Sequence, residues 1–200
     1  MPPRADPNQT RQLILESALR CFARKGYLRT SMDDIVAESG LSKGTLYWHF
    51  KSKSDLFNNL FDLLMGDLVE SFLQYQLPED APASERLRQL SLMFGTAIAA
   101  DDRITEMPIN LMAEVWQVEE FTVRYQEMLD QFAGQIASII ESGIEAGEFR
   151  QVDVKRVTWS ILAAYDGLIL YYMEGIMPDI EAHFKAIVDL FVEGLRKPGA

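Results

Sequence analysis

Apolar side chains recur every three or four residues along almost the whole chain, and hardly any stretch alternates apolar and polar residues. The first pattern gives an α-helix one apolar face, whereas a half-buried β-strand needs the second. Glycine and proline fall between the periodic segments, where helices are expected to end. The sequence therefore predicts an all-α protein of about nine helices.

The expected helices form a short group followed by a long group. The first group is predicted at about 10–25, 32–39, 43–49 and from 53 through the run LFNNLFDLLMGDLVESFL. A proline-containing break, LPEDAPAS, occupies 77–84. The longer helices that follow it are predicted at about 85–100, 104–118, 120–146, 153–174 and 179–196.

Charge is distributed unevenly along the 200 residues. Residues 1–53 contain nine Lys and Arg against five Asp and Glu, whereas residues 54–200 contain ten against twenty-five. Attraction to phosphate depends on the local charge, because fields are screened beyond about 8 to 10 Å at cellular salt. The basic head, 1–52, and the acidic helical body, 53–200, are therefore predicted as separate domains, and the net charge of −11 does not exclude DNA as a partner of the head.

Several protein classes are disfavoured by what the sequence lacks. One cysteine and two histidines provide no disulfide framework or cluster of metal ligands, and no catalytic motif is present, so we expect no enzyme, cofactor or metal site. The start MPPRADPNQTR does not resemble a signal peptide. The most apolar run, at 157–173, has Asp166 and Gly167 at its centre, so a membrane span is not expected. A cytoplasmic location is the simplest expectation.

The segment at 31–50 has the pattern of a helix-turn-helix. Ser31 and Asp34 have the spacing of a helix N-cap and its third residue, and Gly40 can adopt the left-handed turn that ends a helix. Leu46 and Phe50, four residues apart, are expected to point inward. Their predicted neighbours in a small core are Phe22, Ile35, Val36 and Leu41.

The remaining side chains of the short helix are expected to face outward. Lys43 and Thr45 lie in its first turn, which usually meets base edges in a DNA-reading helix. Gly44 lacks a side chain there, so the backbone can approach DNA closely. Tyr47 and His49 carry hydrogen-bonding groups, and Lys53 adds charge at the start of the next helix. A solvated basic face would be the alternative, but the caps, the glycine turn and the inward residues all favour DNA binding.

Residues 10–56 resemble the N-terminal DNA-binding domain of the TetR family of bacterial regulators, with the motif SMDDIVAESGLSKGTLYWHFKSKSDLF. The resemblance covers about a quarter of the chain. It implies that one set of residues faces the groove and contacts bases: Lys43, Gly44, Thr45 and Trp48. It implies that a second set contacts phosphate: Ser31, Tyr47, His49 and Lys53.

The resemblance also implies that the last two helices of two chains form a four-helix dimer interface. The apolar stripe of the final helix supplies the predicted interface residues: Phe184, Val188 and Phe191. A two-fold dimer would present two reading helices about 34 to 36 Å apart, as a palindromic operator requires. Double-stranded DNA and a second copy of the chain are thus the predicted partners.

The acidic body is expected to contain a ligand pocket, because aromatic and thioether side chains accompany two isolated carboxylates. The predicted lining is Met93, Met112, Glu114, Trp116, Tyr125, Met128, Phe132, Trp159 and Asp166. Core packing is the competing interpretation of each residue taken singly. We therefore expect a homodimeric regulator, most simply a repressor released by a small molecule. The alternative is a DNA-binding factor without a ligand, whose body binds another protein.

Overall fold

The computed structural model describes residues 6–78, 80–101 and 118–197. Every regular element in these ranges is a helix, apart from one isolated bridge between Phe149 and Arg196. The described helices are α1 Pro7–Lys25, α2 Met32–Ser39, α3 Lys43–His49, α4 Lys53–Gln74, α5 Ala83–Ala99, α6 Glu119–Glu145, α7 Val154–Met173 and α8 Ile180–Leu195. The all-α prediction is confirmed, and the helix expected at 104–118 lies almost wholly outside the described residues.

Local capping explains most helix ends. Gly26, Gly40, Gly147 and Gly175 all have positive φ angles, which glycine adopts without steric cost, and they follow α1, α2, α6 and α7. The first helix begins three residues earlier than its periodicity predicts. The reason is that Asp6 accepts a hydrogen bond from the amide of Asn8, while Pro7 occupies the first turn, where its missing N–H costs nothing.

The described residues form two compact units. The first contains the chain up to Asp67 and residues 118–122, and the second contains 68–101 and 123–197. None of the described helices is both long enough and apolar enough to cross a membrane. The functional boundary between 52 and 53 stays a prediction, because compactness does not show where DNA binding ends.

The core of the first unit packs α1 to α4 together with the first turn of α6. Leu46 and Phe50 are buried against Phe22 and Ile35, as the sequence predicts. Val36 and Leu41 pack at the edge of this core, and Cys21 is buried as a small apolar side chain. Phe121 is an unexpected member: its ring lies 4.1 Å from that of Phe57 and 5.4 Å from that of Tyr27, centroid to centroid.

Aromatic side chains fill the core of the second unit. The ring of Phe94 on α5 is surrounded by four others at centroid distances of 5.4 to 6.1 Å, from Phe72, Phe132, Tyr165 and Phe184. Helix α8 packs closely on α5, because a Cβ atom at Gly95 would lie only 3.2 Å from Cβ of Phe184. The hydroxyl of Ser91 donates to the carbonyl of Phe184 at this contact.

Glu148 caps α5 from 65 positions later in the sequence. Its carboxylate accepts the amides of Ala83 at 2.7 Å and Ser84 at 3.0 Å, while Pro82 offers no side-chain cap. This explains why α5 begins two residues before the predicted start. Burial alone would raise the pKa of Glu148, but the hydrogen bonds from Ser84 and Ala83 and the charge of Arg196 outweigh it, so the pKa is lowered.

The substitution Glu148→Ala should therefore lower the free energy of unfolding by about 1 kcal/mol at neutral pH, as loss of a helix cap typically does. Because the folded-state pKa is lowered, the stabilisation is present above the ordinary glutamate pKa of about 4.3 and is lost as pH falls below it. Denaturant titrations from about pH 7 to 3.5 measure the difference. Glu145→Ala, at an exposed position near the end of α6, is the control; an equal effect there would contradict the capping role.

Candidate nucleic-acid interface and ligand-binding region

The helix-turn-helix is held by local caps. At the start of α2, the hydroxyl of Ser31 accepts the amide of Asp34 at 3.1 Å, and the Asp34 carboxylate accepts the amide of Ser31 at 2.9 Å. The predicted capping box is thus formed. Lys25 and Ser31 hold the pKa of Asp34 well below its usual range, Lys25 contributing most. Ser31 remains exposed, at the position where a phosphate contact is predicted.

Ion pairs tie α1 to α2. Arg20 and Arg24 each bond to the carboxylate of Glu38 at 3.0 Å, and Lys25 bonds to Asp34 at 2.5 Å. These contacts connect α1 with α2 at two places. The orientation of α2, which precedes α3, is therefore fixed relative to α1.

Helix α3 is capped by Ser42, whose hydroxyl accepts the amide of Thr45 at 3.0 Å and lies 2.8 Å from the Thr45 hydroxyl. Thr45 is half-buried, and its hydroxyl is directed at the cap. Lys43 and Gly44 are exposed in the first turn. A Cβ atom at Gly44 would approach only the Ser42 hydroxyl, at 3.8 Å, so the fold itself does not require glycine there.

Two large aromatic side chains of α3 face outward. Trp48 is 69% exposed and Tyr47 is 39% exposed, while Leu46 between the first turn and Tyr47 is fully buried. Exposed aromatic rings beside a basic helix are typical of a surface that binds a partner. The ring of His49 stands edge-on to that of Trp48 at 4.5 Å. Burial lowers the pKa of His49, and the charge of Arg11 adds to this effect.

Lys53 has a role inside the first unit that the sequence did not reveal. Its ammonium donates to the carbonyl of Tyr27 at 2.8 Å and to that of Leu28 at 3.3 Å, and it lies 4.4 Å from the centre of the Tyr27 ring. These bonds join the start of α4 to the turn after α1. A phosphate contact by Lys53 stays a prediction, and it would have to be made by a side chain already engaged in the protein.

The predicted ligand residues are only partly brought together. Met128 and Phe132 are buried on α6, Met93 and Trp159 are half-buried, and Tyr125 lies one turn before Met128. Phe132 packs against Phe72 and Phe94, so its ring belongs to the aromatic core. The other predicted lining residues, Met112, Glu114 and Trp116, lie outside the described residues.

Tyr125 and Asp166 face each other across α6 and α7. The tyrosine hydroxyl donates to the Asp166 carboxylate at 3.4 Å. Although Asp166 as a residue is solvent-exposed, its carboxyl group is desolvated enough to raise its pKa, an effect that the bond from Tyr125 partly offsets. Burial and the nearby carboxylate raise the pKa of Tyr125. This pair offers an acceptor and a hydroxyl to a polar group of a ligand.

The predicted dimer residues require a correction. Phe184 and Val188 are 0% and 2% exposed within a single chain, because they pack in the core of the second unit. Almost none of their surface is left for a partner chain, whereas Phe191 is half-buried. The outward face of α8 instead carries Leu190, 69% exposed, with Ala186 and Gly194 at the same helical position one turn before and after.

Helix α7 has a comparable outward face. Leu170 and Tyr171 are exposed, and Ala163 lies on the same side of the helix two turns earlier. The signal for both faces was present in the sequence, since small and apolar residues recur at intervals of three and four outside the stripe that contains Phe184. Periodicity could not decide which of the two apolar stripes of α8 lies inward.

Comparison with known families gives two matches. The family described as "Bacterial regulatory proteins, tetR family" matches residues 14–60, and the one described as "Tetracyclin repressor-like, C-terminal domain" matches residues 83–188. The chain is 34% identical over 98 residues to the transcriptional regulator AcrR of Shigella flexneri, which spans 49% of this chain and 46% of that protein. It is 25% identical over 185 residues to the fatty acid metabolism regulator protein of Bacillus subtilis, spanning 91% and 93%.

Solved structures share the same fold. The regulator FadR of Bacillus subtilis, determined in complex with stearoyl-CoA, matches with a TM-score of 0.71 and 25% identity over 92% of this chain and 99% of that one. A transcription regulator from Haloarcula marismortui matches with a TM-score of 0.75 and 18% identity over 95% and 100%. The second likeness concerns the fold alone. AcrR is named as a transcriptional regulator, and the Bacillus subtilis relative as a regulator of fatty acid metabolism.

Proposed function

Because the chain belongs to the TetR family of bacterial regulatory proteins and is a DNA-binding transcriptional regulator, we propose that it acts as a homodimeric repressor that leaves a palindromic operator when a small molecule binds its second unit. The observation that carries the DNA-binding part is the surface of α3. Its first turn exposes Lys43 beside Gly44, and the aromatic rings of Tyr47 and Trp48 extend the same surface.

In this proposal, base edges are read by Lys43 and Thr45, with Gly44 and Trp48 against the groove. Phosphates are held by Ser31, Tyr47, His49 and Lys53. To contact a base edge, the hydroxyl of Thr45 leaves its bond to Ser42. Phosphate contacts fix the register of the protein on the duplex, whereas the base contacts select the sequence.

The dimer is proposed to form through the outward faces of α7 and α8. Both faces expose apolar or small residues in one chain, including Leu170, Tyr171 and Leu190. An interface that such faces form about a two-fold axis is self-complementary, because the same patch of each chain meets its copy. The two reading helices can then occupy successive major grooves of one operator. A cytoplasmic location follows as part of the same proposal, since the operator is DNA.

The ligand is proposed to be an amphipathic molecule with a long apolar part. The aromatic core around Phe94 and the half-buried Met93 and Trp159 can yield apolar surface to such a ligand, while Tyr125 and Asp166 can bond its polar group. The relative FadR, solved with stearoyl-CoA, supports a long-chain acyl group. The carboxylate of Asp166 favours a cation or a hydrogen-bond donor at the polar end of the ligand. The test therefore includes compounds with anionic and with cationic polar ends.

Helix α6 offers a physical route for the response. It runs from Glu119 to Glu145. In its first turn, the ring of Phe121 packs on Tyr27 and Phe57 in the first unit. Ligand binding that shifts α6 would displace Phe121 and, through Tyr27, the anchor of Lys53. A coupling free energy of about 1 to 3 kcal/mol suffices for a roughly 5- to 150-fold release.

The test combines operator selection with ligand release. DNA bound by the full-length protein is selected from random sequences, and the recovered duplex is titrated in the presence of stearoyl-CoA, free stearate or a long-chain quaternary ammonium compound. We expect a two-fold symmetric site and at least fivefold weaker binding with one of these compounds. An asymmetric site, or no release by any compound in a broader amphiphile panel, would favour the alternative of a ligand-free factor whose body binds another protein.

A further inference from the structure

Asp33 lies in the first turn of α2 and contacts the first residue of α3. The neighbouring acidic residues hold the first unit together, because Asp34 closes the capping box and Glu38 binds two arginines of α1. Asp33, in the first turn of α2, has its side chain 68% exposed, and its carboxylate lies 2.7 Å from the ammonium of Lys43. The most exposed of these carboxylates thus contacts the reading helix instead of the core.

The partner of Asp33 is the lysine expected to read bases. Lys43 begins α3, its side chain is 61% exposed, and its ammonium lies 5.9 Å from the centre of the Tyr47 ring. The bond to Asp33 raises the pKa of Lys43, because it favours the charged ammonium. Ion pairs between exposed side chains contribute little net stability and exchange easily. With three N–H donors, the ammonium of Lys43 can keep its bond to Asp33 and donate to a second acceptor as well.

A base edge and a phosphate differ as competitors for Lys43. Guanine presents two acceptors, O6 and N7, in the major groove, at a position set by the sequence. Phosphates are present on every duplex, and each ammonium that neutralises one adds about 0.9 to the salt slope of binding whatever the sequence. A carboxylate beside the ammonium also repels the phosphate that would replace it.

We propose that Asp33 is a specificity-determining residue that keeps Lys43 bonded beside the base edges and away from phosphates, so that DNA without the operator sequence is bound more weakly. This inference rests on the proposed function, since it takes Lys43 as a reader of bases. It adds a role for an acidic residue within a surface whose other contributions to DNA binding are basic, polar or aromatic.

The experiment is a double-mutant cycle on two DNA sequences. Dissociation constants are measured for the wild type, Asp33→Asn, Lys43→Ala and the double variant, each on the selected operator and on a scrambled duplex between about 50 and 200 mM salt. For Asp33→Asn we expect about three- to eightfold tighter binding to scrambled DNA and a salt slope about 1.8 larger, because one more ammonium from each protomer of the dimer reaches phosphate, each adding about 0.9. Binding to the operator should change by less than about twofold, since there the ammonium of Lys43, which has three donors, contacts a base while it keeps its bond to Asp33.

The second arm of the cycle separates this role from simple charge repulsion. In the Lys43→Ala background, Asp33→Asn should leave binding to both duplexes unchanged. Glu16→Gln removes the same charge from α1, where Glu16 bonds to Gln12 of its own helix, and should leave the ratio of the two dissociation constants at the wild-type value. Asp33→Ser repeats the test with a residue that favours the start of a helix, should the asparagine variant unfold.

Three results would overturn the proposal: equal tightening on both duplexes, the same effect of Asp33→Asn with and without Lys43, or no change in the scrambled-DNA salt slope. Failure of the proposed function has a different signature. In that case the wild-type protein itself would not distinguish any selected duplex from scrambled DNA. A wild type that discriminates, with an Asp33→Asn variant that discriminates equally well, would reject only the role of Asp33.

Discussion

Replacing Leu190 with glutamate should convert the protein to a monomer and weaken operator binding at least about 100-fold, the advantage that two linked binding sites commonly have over one. Leu190 is 69% exposed at the centre of the outward face of α8. In a two-fold interface the substitution places two carboxylates close to the axis, where they lose water and repel each other. Sedimentation measures the association state, and DNA titration measures the dissociation constant.

Leu92 provides a matched control for this prediction. It is an exposed leucine of the same unit, on α5, so Leu92→Glu makes the same chemical change on a different helix. The control variant should remain a dimer that binds the operator with wild-type affinity. Dimers that persist in Leu190→Glu, or monomers in Leu92→Glu, would assign the interface to a surface other than the outward face of α8.

Replacing Gly44 with leucine should leave the fold intact but weaken DNA binding about 10- to 100-fold, the range expected for a loss of one or two good contacts. The free protein has room for a side chain, because a Cβ atom would meet only the Ser42 hydroxyl at 3.8 Å. Glycine in a helix costs about 0.5 to 1 kcal/mol relative to alanine. Glycine here thus sacrifices helix stability, and close approach of DNA to the backbone is the reason we propose for it.

The smaller substitution Gly44→Ala tests both parts of this argument, the helix stability and the DNA affinity. It should raise the thermal midpoint of the first unit while lowering affinity for DNA less than the leucine variant does. Gly134 on α6 supplies the control, because it is also exposed and a Cβ atom there would have nothing within 4 Å. Gly134→Ala should stabilise its helix without changing DNA binding. Undiminished DNA affinity in Gly44→Leu would remove this turn of α3 from the interface.

Much of the DNA-binding region could be predicted from the sequence, because its structure depends on interactions between near neighbours. The capping box of Ser31 and Asp34, the cap at Ser42 and the left-handed turn at Gly40 each involve residues within a few positions of one another. Leu46 and Phe50 were assigned to the core from their four-residue spacing, and both are buried. Local spacing also identified the class of regulator, through the motif that the first family match covers.

The contacts that only the tertiary structure decided join residues far apart in the chain. Lys53 turns its ammonium toward Tyr27, 26 positions earlier, and Glu148 caps α5 across 65 positions. No local pattern encodes these partners, because their separation is closed by the packing of helices. Phe121 likewise enters the core of the first unit through rings that periodicity could not bring to it.

Helix α8 illustrates the same limit at the candidate dimer interface. By itself, the sequence determined that α8 is a helix with enough apolar side chains for more than one contact, because the spacing of those residues fixes where they lie around the helix axis. It could not determine whether Phe184 or Leu190 faces the core. Close packing on Gly95 and the rings of Phe94 and Tyr165 draws Phe184 inward, which leaves Leu190 in solvent. The tertiary structure therefore decides that Phe184 faces the core, since this depends on the shape that α5 and α7 present to α8.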